Sequence, residues 1–197
     1  MRSALIERKT SETDIKLELR LPQKGVKGSF EGTSGVGFFD HMLNAVCVHG
    51  GFGMKLTMTG DLSCDDHHSI EDFGIVFGKA MARALESGGP VKRFGSACIP
   101  MDESLSRCVL DICGRPYLVF HAFFKNQYIG QMESCMLREF FYAFAVNSGI
   151  TLHVENLYGE NDHHKAESIC KAFAYALSSA CEEIDGPVIS TKGSLGS

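Results

Sequence analysis

The feature that most constrains this sequence is an eight-residue segment that occurs twice. Residues 65–72 read DDHHSIED, and residues 161–168 read NDHHKAES. Each copy runs into a stretch whose apolar residues recur with helical spacing, so we expect both His-His-x-x-Glu motifs to start helices. Because a chance match need not recur with its surroundings, the repeat is stronger evidence of function than one copy would be.

The spacing within each copy predicts a metal site. Residues four apart on a helix share a face, so His67 and Glu71 can reach one ion, while His68 points about 100° away. An Asp or Asn just before the pair is a good N-cap. If the copies face each other about a pseudo-two-fold axis, the turned-away histidine of each completes the set of the other. The second copy supplies the equivalent residues His163, Glu167 and His164.

Composition restricts the class of protein. The chain has 197 residues, 44% of them hydrophobic, and a net charge of −5 that argues against non-specific nucleic-acid binding. None of the eight cysteines forms a CxxC pair, and those in apolar runs, such as Cys98 and Cys170, are expected to be buried free thiols of a reducing compartment. No apolar run has the length of a membrane span and no signal segment is apparent, so we expect a cytoplasmic protein without membrane contact.

The order of elements predicts a duplicated α+β fold. Each half reads as strands, a helix, a further strand and a His-His-x-x-Glu helix, which indicates helices on one face of a mainly antiparallel sheet. We expect a first repeat over 1–90, a second over 91–186 and an irregular tail over 187–197. The predicted strands are 4–8, 14–21, 54–59, 96–101, 106–112, 117–124 and 149–154. The predicted helices are 38–48, 132–147 and the two that run from the motifs to about residues 85 and 180.

Additional candidate ligands and basic residues surround the motifs. His41 and Glu139 lie near the starts of the helices that precede each motif, and both can bind a metal. A set of imidazoles and carboxylates without thiolate suits six-coordinate Mn, Fe or Ni, or Zn, and open positions suggest catalysis. Arg115 in a Gly-Arg-Pro turn and Lys192 in Ser-Thr-Lys-Gly are candidate phosphate contacts, although isolated basic residues are more often plain surface charges. Lys171 shares a helix face with Glu167.

Six segments together resemble imidazoleglycerol-phosphate dehydratases, enzymes of histidine biosynthesis. They are FFDHML at 38–43, DDHHSIED at 65–72, RFGS at 93–96, PMDE at 100–103, GRPY at 114–117 and DHH through KAF at 162–173. The resemblance runs from Arg8 to Leu195 and implies a duplicated unit like the second domain of ribosomal protein S5. It also implies a homo-oligomer of 24 subunits, with sites between subunits.

The resemblance further implies the reaction and the residues that carry it. Water is removed from D-erythro-imidazole-glycerol phosphate, a small phosphate ester, to give imidazole-acetol phosphate through an imidazolate held by two Mn(2+) ions per site. We expect Glu12 to act as the base, with Glu167 and His41 also at the catalytic centre. The implied metal ligands are His41, His67, His68, Glu71, Glu139, His163, His164 and Glu167. The implied substrate contacts are Glu12, His49, Arg93, Arg115, Lys171, Ser190 and Lys192.

Two other functions compete with this one. The chain could be a different metal-dependent lyase or hydrolase acting on a small phosphate ester, or a non-catalytic metal-storage or assembly protein. Storage does not need Arg115 or the Ser-Thr-Lys segment, so these features favour an enzyme. Glu139 departs from the resemblance because many relatives carry His there, and we therefore expect the two ions to differ in ligand set.

Overall fold

A computed structural model of the chain describes residues 2–187. The first half contains β1 Ser3–Lys9, β2 Thr13–Arg20, β3 Ser29–Gly32, α1 Gly37–Gly50, β4 Gly53–Gly60 and α2 His67–Glu86. The second half contains β5 Phe94–Met101, β6 Ser104–Ile112, β7 Tyr117–His121, β8 Tyr128–Ile129, β9 Met132–Glu133, α3 Met136–Ser148, β10 Ile150–Tyr158 and α4 Asp162–Ala180.

The two halves build sheets of the same topology. One sheet has the strand order β1-β2-β4-β3 and the other β5-β6-β10-β7. In both sheets the first three strands are antiparallel and the last strand pairs in parallel. The expected α+β class, with sheets that are mainly antiparallel, is therefore confirmed.

The helices join the halves through one shared core. Helix α1 packs on α4 and α2 packs on α3, so each pair spans both halves. The apolar face of α3 is buried, and Phe144 lies between Phe77 of α2 and Phe173 of α4, with ring centroids 4.8 and 5.1 Å away. The core is continuous across both halves. The boundary expected near residue 90 therefore stays a prediction about where the sequence repeat divides.

Strand β2 and Gly95 illustrate how sequence positions the layers. Ile15, Leu17 and Leu19 are buried and alternate with exposed residues, as the period of two predicts. At Gly95 of β5 a Cβ atom would lie 1.9 Å from the backbone oxygen of Ala176. This glycine lets α4, the helix that begins with the second motif, approach the sheet closely.

Several predictions of element bounds and burial were wrong. Helix α3 begins at Met136 rather than residue 132, because a β8–β9 hairpin around Gly130, with φ of 61°, occupies the preceding residues. Strand β7 ends at His121 rather than residue 124. Cys98 is exposed, not buried, because it lies on the outward side of the edge strand β5, whereas Cys170 is buried as expected. All eight cysteines are free.

Candidate active site

Three of the predicted ligands converge where α1 meets α4. The ligand atoms of His41, His163 and Glu167 lie within 4.8 Å of one another, and no other such group of three occurs among residues 2–187. Glu167 Oε2 is 3.1 Å from His163 Nε2 and 3.4 Å from His41 Nε2. The edge of Phe38 packs against the His163 ring at a centroid distance of 5.1 Å. We name this group the α1–α4 cluster.

Lys171 borders the α1–α4 cluster. Its Nζ donates to Glu167 Oε1 at 2.7 Å, one helical turn along α4, and lies 3.4 Å from the sulfur of Met101. Burial raises the pKa of Glu167, but the hydrogen bond and charge of Lys171, together with His163, outweigh it and leave the pKa below its ordinary value. Glu167 therefore stays ionised, as a metal ligand must.

The first motif forms a looser pair. His67 Nε2 lies 3.5 Å from Glu71 Oε2, and both side chains are partly exposed. Glu139 on the adjacent helix α3 receives a hydrogen bond of 2.7 Å from Arg138. Counted back from the left-handed glycine that ends each helix, Gly51 and Gly149, His41 and Glu139 occupy the same position. Glu139 is thus the structural counterpart of His41, while its place in a ligand set stays a prediction.

The second histidine of each motif points elsewhere, as the helical spacing predicts. His68 Nδ1 lies 2.9 Å from Asp61 Oδ2, and its Nε2 lies 3.8 Å from Glu12 Oε1. That hydrogen bond to Asp61 raises the pKa of His68. The position of His68 therefore does not complete the α1–α4 cluster within the same chain.

His164 occupies the equivalent position in the second half. Its Nδ1 lies 2.6 Å from Glu103 Oε2, and its Nε2 lies 3.6 Å from Asp102 Oδ2. The hydrogen bond to Glu103 raises the pKa of His164, while hydrogen bonds from the Asn161 backbone and His164 lower the pKa of Glu103 to about 2. The expected closing of each set by the histidine of the other copy does not occur inside one chain.

The capping prediction is confirmed for α4, while Asp66 occupies the N-cap position of α2 without a side-chain cap hydrogen bond. The Asn161 side chain caps α4 by accepting from the backbone N–H groups of His163 and His164, whereas Asp65 accepts from the N–H of His67 at 2.9 Å. The aspartates directly before the pairs have another role, since each accepts from a backbone N–H of the 126–133 segment: Asp66 from Glu133 and Asp162 from Asn126, both at 2.8 Å. They tie both helix starts to the same part of the second half.

The other predicted substrate contacts lie in different surroundings. His49 lies beside Tyr175, with Nδ1 3.5 Å from the hydroxyl, and burial followed by the charge of Lys171 lowers its pKa. Arg93 has a φ of 74°, and Asp111 holds its guanidinium by two bonds of 2.5 and 3.0 Å. Arg115 is exposed in its turn, and Glu12 is exposed in the β1–β2 turn. Ser190 and Lys192 lie outside the described residues.

Sequence reasoning missed two carboxylates, Asp61 and Glu103. Neither has helical spacing to its histidine, since Asp61 lies in the β4–α2 connection and Glu103 in the β5–β6 turn. One signal was present: the turn that carries Glu103 is the counterpart, in the second half, of the β1–β2 turn that carries Glu12.

Fold and site together define a class: an α+β protein of two similar halves whose helix starts carry histidine–carboxylate pairs, one of which forms, with His41, a group that could hold a metal ion. The model of the imidazoleglycerol-phosphate dehydratase family matches residues 34–177. The dehydratase of Rhodopseudomonas palustris strain BisB5 is 47% identical, with 100% of both chains covered. That of Clostridioides difficile strain 630 is 48% identical over 99% of this chain and 100% of its own.

Solved structures give the same result. The crystal structure of the dehydratase from Staphylococcus aureus subsp. aureus N315 superposes with a TM-score of 0.82 at 34% identity, covering 92% of this chain and 99% of that one. The Pyrococcus furiosus enzyme, solved in complex with (S)-C348, gives 0.81 at 36% identity, covering 96% and 100%. The chain belongs to the imidazoleglycerol-phosphate dehydratase family, and so it is a carbon–oxygen lyase of histidine biosynthesis. None of the helices within residues 2–187 is long and apolar enough to cross a bilayer.

Proposed function

We propose that the chain converts D-erythro-imidazole-glycerol phosphate to imidazole-acetol phosphate at sites that hold two Mn(2+) ions and lie between subunits of a homo-oligomer. The α1–α4 cluster carries this proposal, because its ligand atoms already lie within 4.8 Å of one another. Two imidazoles and one carboxylate suit a six-coordinate divalent ion and leave positions for substrate. His67, Glu71 and Glu139 would hold the second ion.

The outward histidines support sites that span subunits. His68 and His164 are tethered through Nδ1 to carboxylates of their own chain, and neither takes part in the cluster of three. We propose that His68 completes the α1–α4 cluster of a neighbouring subunit and that His164 completes the set of His67 and Glu71. The 24-subunit assembly that the resemblance implies is part of this proposal, as is a cytoplasmic location, where the eight free thiols stay reduced.

His41, His163 and Glu167 would hold one ion and His67, Glu71 and Glu139 the other, and when bound the ions would supply Lewis acidity that makes the N–H of the substrate's imidazole ring more acidic. The chain's own residues position the phosphate. Lys171 lies against Glu167 at 2.7 Å, so it brings a positive charge beside the cluster, and His49 lies within the field of that charge. Arg93 is held in direction by Asp111, and a guanidinium so fixed suits a phosphate oxygen. Arg115, Ser190 and Lys192 complete the proposed contacts.

Glu12 is the proposed base. The reaction removes a C2 proton that no adjacent carbonyl acidifies, so a base must be placed next to it. Glu12 lies in an exposed turn, with its carboxylate 3.8 Å from His68 Nε2. Because Glu12 lies beside His68, both residues would belong to the site of the neighbouring subunit. Glu167 and His41 would act at the same centre as metal ligands, and a water or a neighbouring carboxyl group would protonate the hydroxyl so that it leaves as water.

The experiment is a turnover assay of the Mn(2+)-loaded protein with imidazole-glycerol phosphate, followed by the enol absorbance of the product. We expect turnover with two Mn(2+) per subunit, and we expect His163→Ala to lose both turnover and one ion. His121→Ala is the matched control, because that histidine is exposed and lies 3.9 Å from Glu155, outside the cluster. Two bound ions without turnover would overturn the proposal and favour metal storage.

A further inference from the structure

Each outward histidine has the same type of contact on its Nδ1 side. Asp61 Oδ2 lies 2.9 Å from His68 Nδ1, and Glu103 Oε2 lies 2.6 Å from His164 Nδ1. An imidazole that donates its Nδ1–H to a carboxylate keeps the lone pair on Nε2 and has a fixed ring orientation. This is the arrangement that a metal-binding histidine needs.

We infer that Asp61 and Glu103 are positioning residues that hold His68 and His164 in the tautomer and direction required to bind the ions of a neighbouring subunit. The inference rests on the proposed function, since it takes these histidines as metal ligands. It adds two residues that touch neither substrate nor ion. Their effect passes entirely through the two imidazoles.

Glu103 is itself held in place. Its Oε1 accepts from the backbone N–H groups of Glu160 and Asn161, at 3.0 and 2.7 Å. Its other oxygen is thereby aimed at His164, although the residue lies in an exposed turn. Because Asn161 also caps α4, one network fixes the helix start, the carboxylate and the imidazole together.

A buried, unpaired oxygen of Asp61 supports the same role. Its Oδ1 is buried and has no hydrogen-bond partner among the described residues, while Oδ2 contacts His68. A buried unpaired carboxylate oxygen is unfavourable, and such atoms in native structures call for an explanation. Orientation of His68 supplies one, because rotating the carboxylate outward to satisfy Oδ1 would break the contact with Nδ1.

The two carboxylates are not copies of each other. Asp61 comes from the β4–α2 connection, whereas Glu103 comes from the β5–β6 turn, whose counterpart in the first half carries Glu12. The contact with Nδ1 is thus present in both halves although the residue that makes it differs. In the first half Asp61, not the turn residue Glu12, contacts His68 Nδ1. Glu12 therefore lies on the Nε2 side of the ring, where it can take part in proton transfer.

The test is Mn(2+) binding to the intact oligomer, measured by electron paramagnetic resonance of free Mn(2+), for Asp61→Asn and Glu103→Gln. Each variant should keep one ion per subunit at wild-type affinity and bind the other about 10- to 100-fold more weakly. The affected ion should differ: the one at the α1–α4 cluster for Asp61→Asn, and the one at His67 and Glu71 for Glu103→Gln. Higher Mn(2+) should restore the second ion in both.

Matched controls are Asp14→Asn and Glu160→Gln, which remove exposed carboxylates paired with Lys9 and Lys125. Both should bind two ions normally. Wild-type affinity in the test variants would overturn the inference and leave the proposed function intact, whereas wild-type protein without two tight ions would overturn the proposed function itself. Equal weakening of both ions, or failure to assemble, would assign Asp61 or Glu103 a general structural role and also refute the inference.

Discussion

Replacing Lys165 by methionine should strongly destabilise the start of α4. The side chains of Lys165 and Asp162 are only 4% and 3% exposed, and Nζ lies 2.9 Å from Asp162 Oδ1 and 3.0 Å from the Phe123 carbonyl oxygen. Methionine keeps the apolar stem but removes the donor to Asp162 Oδ1 and to the Phe123 carbonyl oxygen, and it leaves the buried carboxylate without its positive partner. Breaking a buried pair in this way costs about 3–5 kcal/mol. We expect the lower end, because Asn126 still donates two hydrogen bonds of 2.8 Å to Asp162.

The measurement is urea unfolding of metal-free protein by circular dichroism, at one fixed protein concentration because the stability of the proposed oligomer would depend on it. Lys125→Met is the control, since Lys125 pairs with Glu160 while their side chains are 54% and 79% exposed, and such a pair contributes about 0–1 kcal/mol. The double variant Asp162→Asn/Lys165→Met should lose less than the sum of the single variants. A loss for Lys165→Met no larger than for Lys125→Met would refute this account of the buried pair.

Three further changes have definite expected outcomes. Glu12→Gln should cut kcat by about 100-fold or more with metal content unchanged, and near-normal turnover would remove Glu12 from the reaction. Ser69 stands in the first motif where Lys165 stands in the second, and its buried Oγ lacks a partner among residues 2–187. Ser69→Ala should therefore raise the free energy of unfolding by about 1 kcal/mol, and a lower urea midpoint would contradict this. Burial raises the pKa of Asp162, but Lys165 and Asn126 bring it below its ordinary value. The stability that Asp162 contributes is thus fully present above its pKa in the unfolded state, and it is lost as the pH falls through its pKa in the folded state. Asp162→Asn should flatten the acid dependence of unfolding between about pH 5 and pH 2, and an unchanged slope would argue against it.

Local patterns predicted the parts of the molecule that local physics decides. The i, i+4 spacing placed Glu71 beside His67 and Glu167 beside His163, and those distances are 3.5 and 3.1 Å. The expected end of the second motif helix near residue 180 is also confirmed. The predicted start of α3 is too early because Met132 is apolar. In the structure Met132 is fully buried in the hairpin, since an apolar residue fits a hairpin as well as a helix.

Such local patterns do not predict contacts between segments that are far apart in the sequence. Nothing in the spacing of the chain relates Glu103 to His164, because the two residues are far apart in sequence and meet only through the packing of the β5–β6 turn against the start of α4. The same applies to Asp61, whose neighbouring residues suggest only a polar connection. His41 was predicted as a ligand, but its approach to Glu167 depends on how α1 packs against α4.

The crossed packing of the helices means that neither half owns a complete ligand group. His41 comes from the first half, and His163 and Glu167 come from the second. If the repeat arose by duplication, a half-length ancestor would have had to pair with another copy of itself before these side chains could meet, and fusion would have made that pairing permanent. After fusion each half could change alone, and His41 and Glu139 at matching helix positions fit that history.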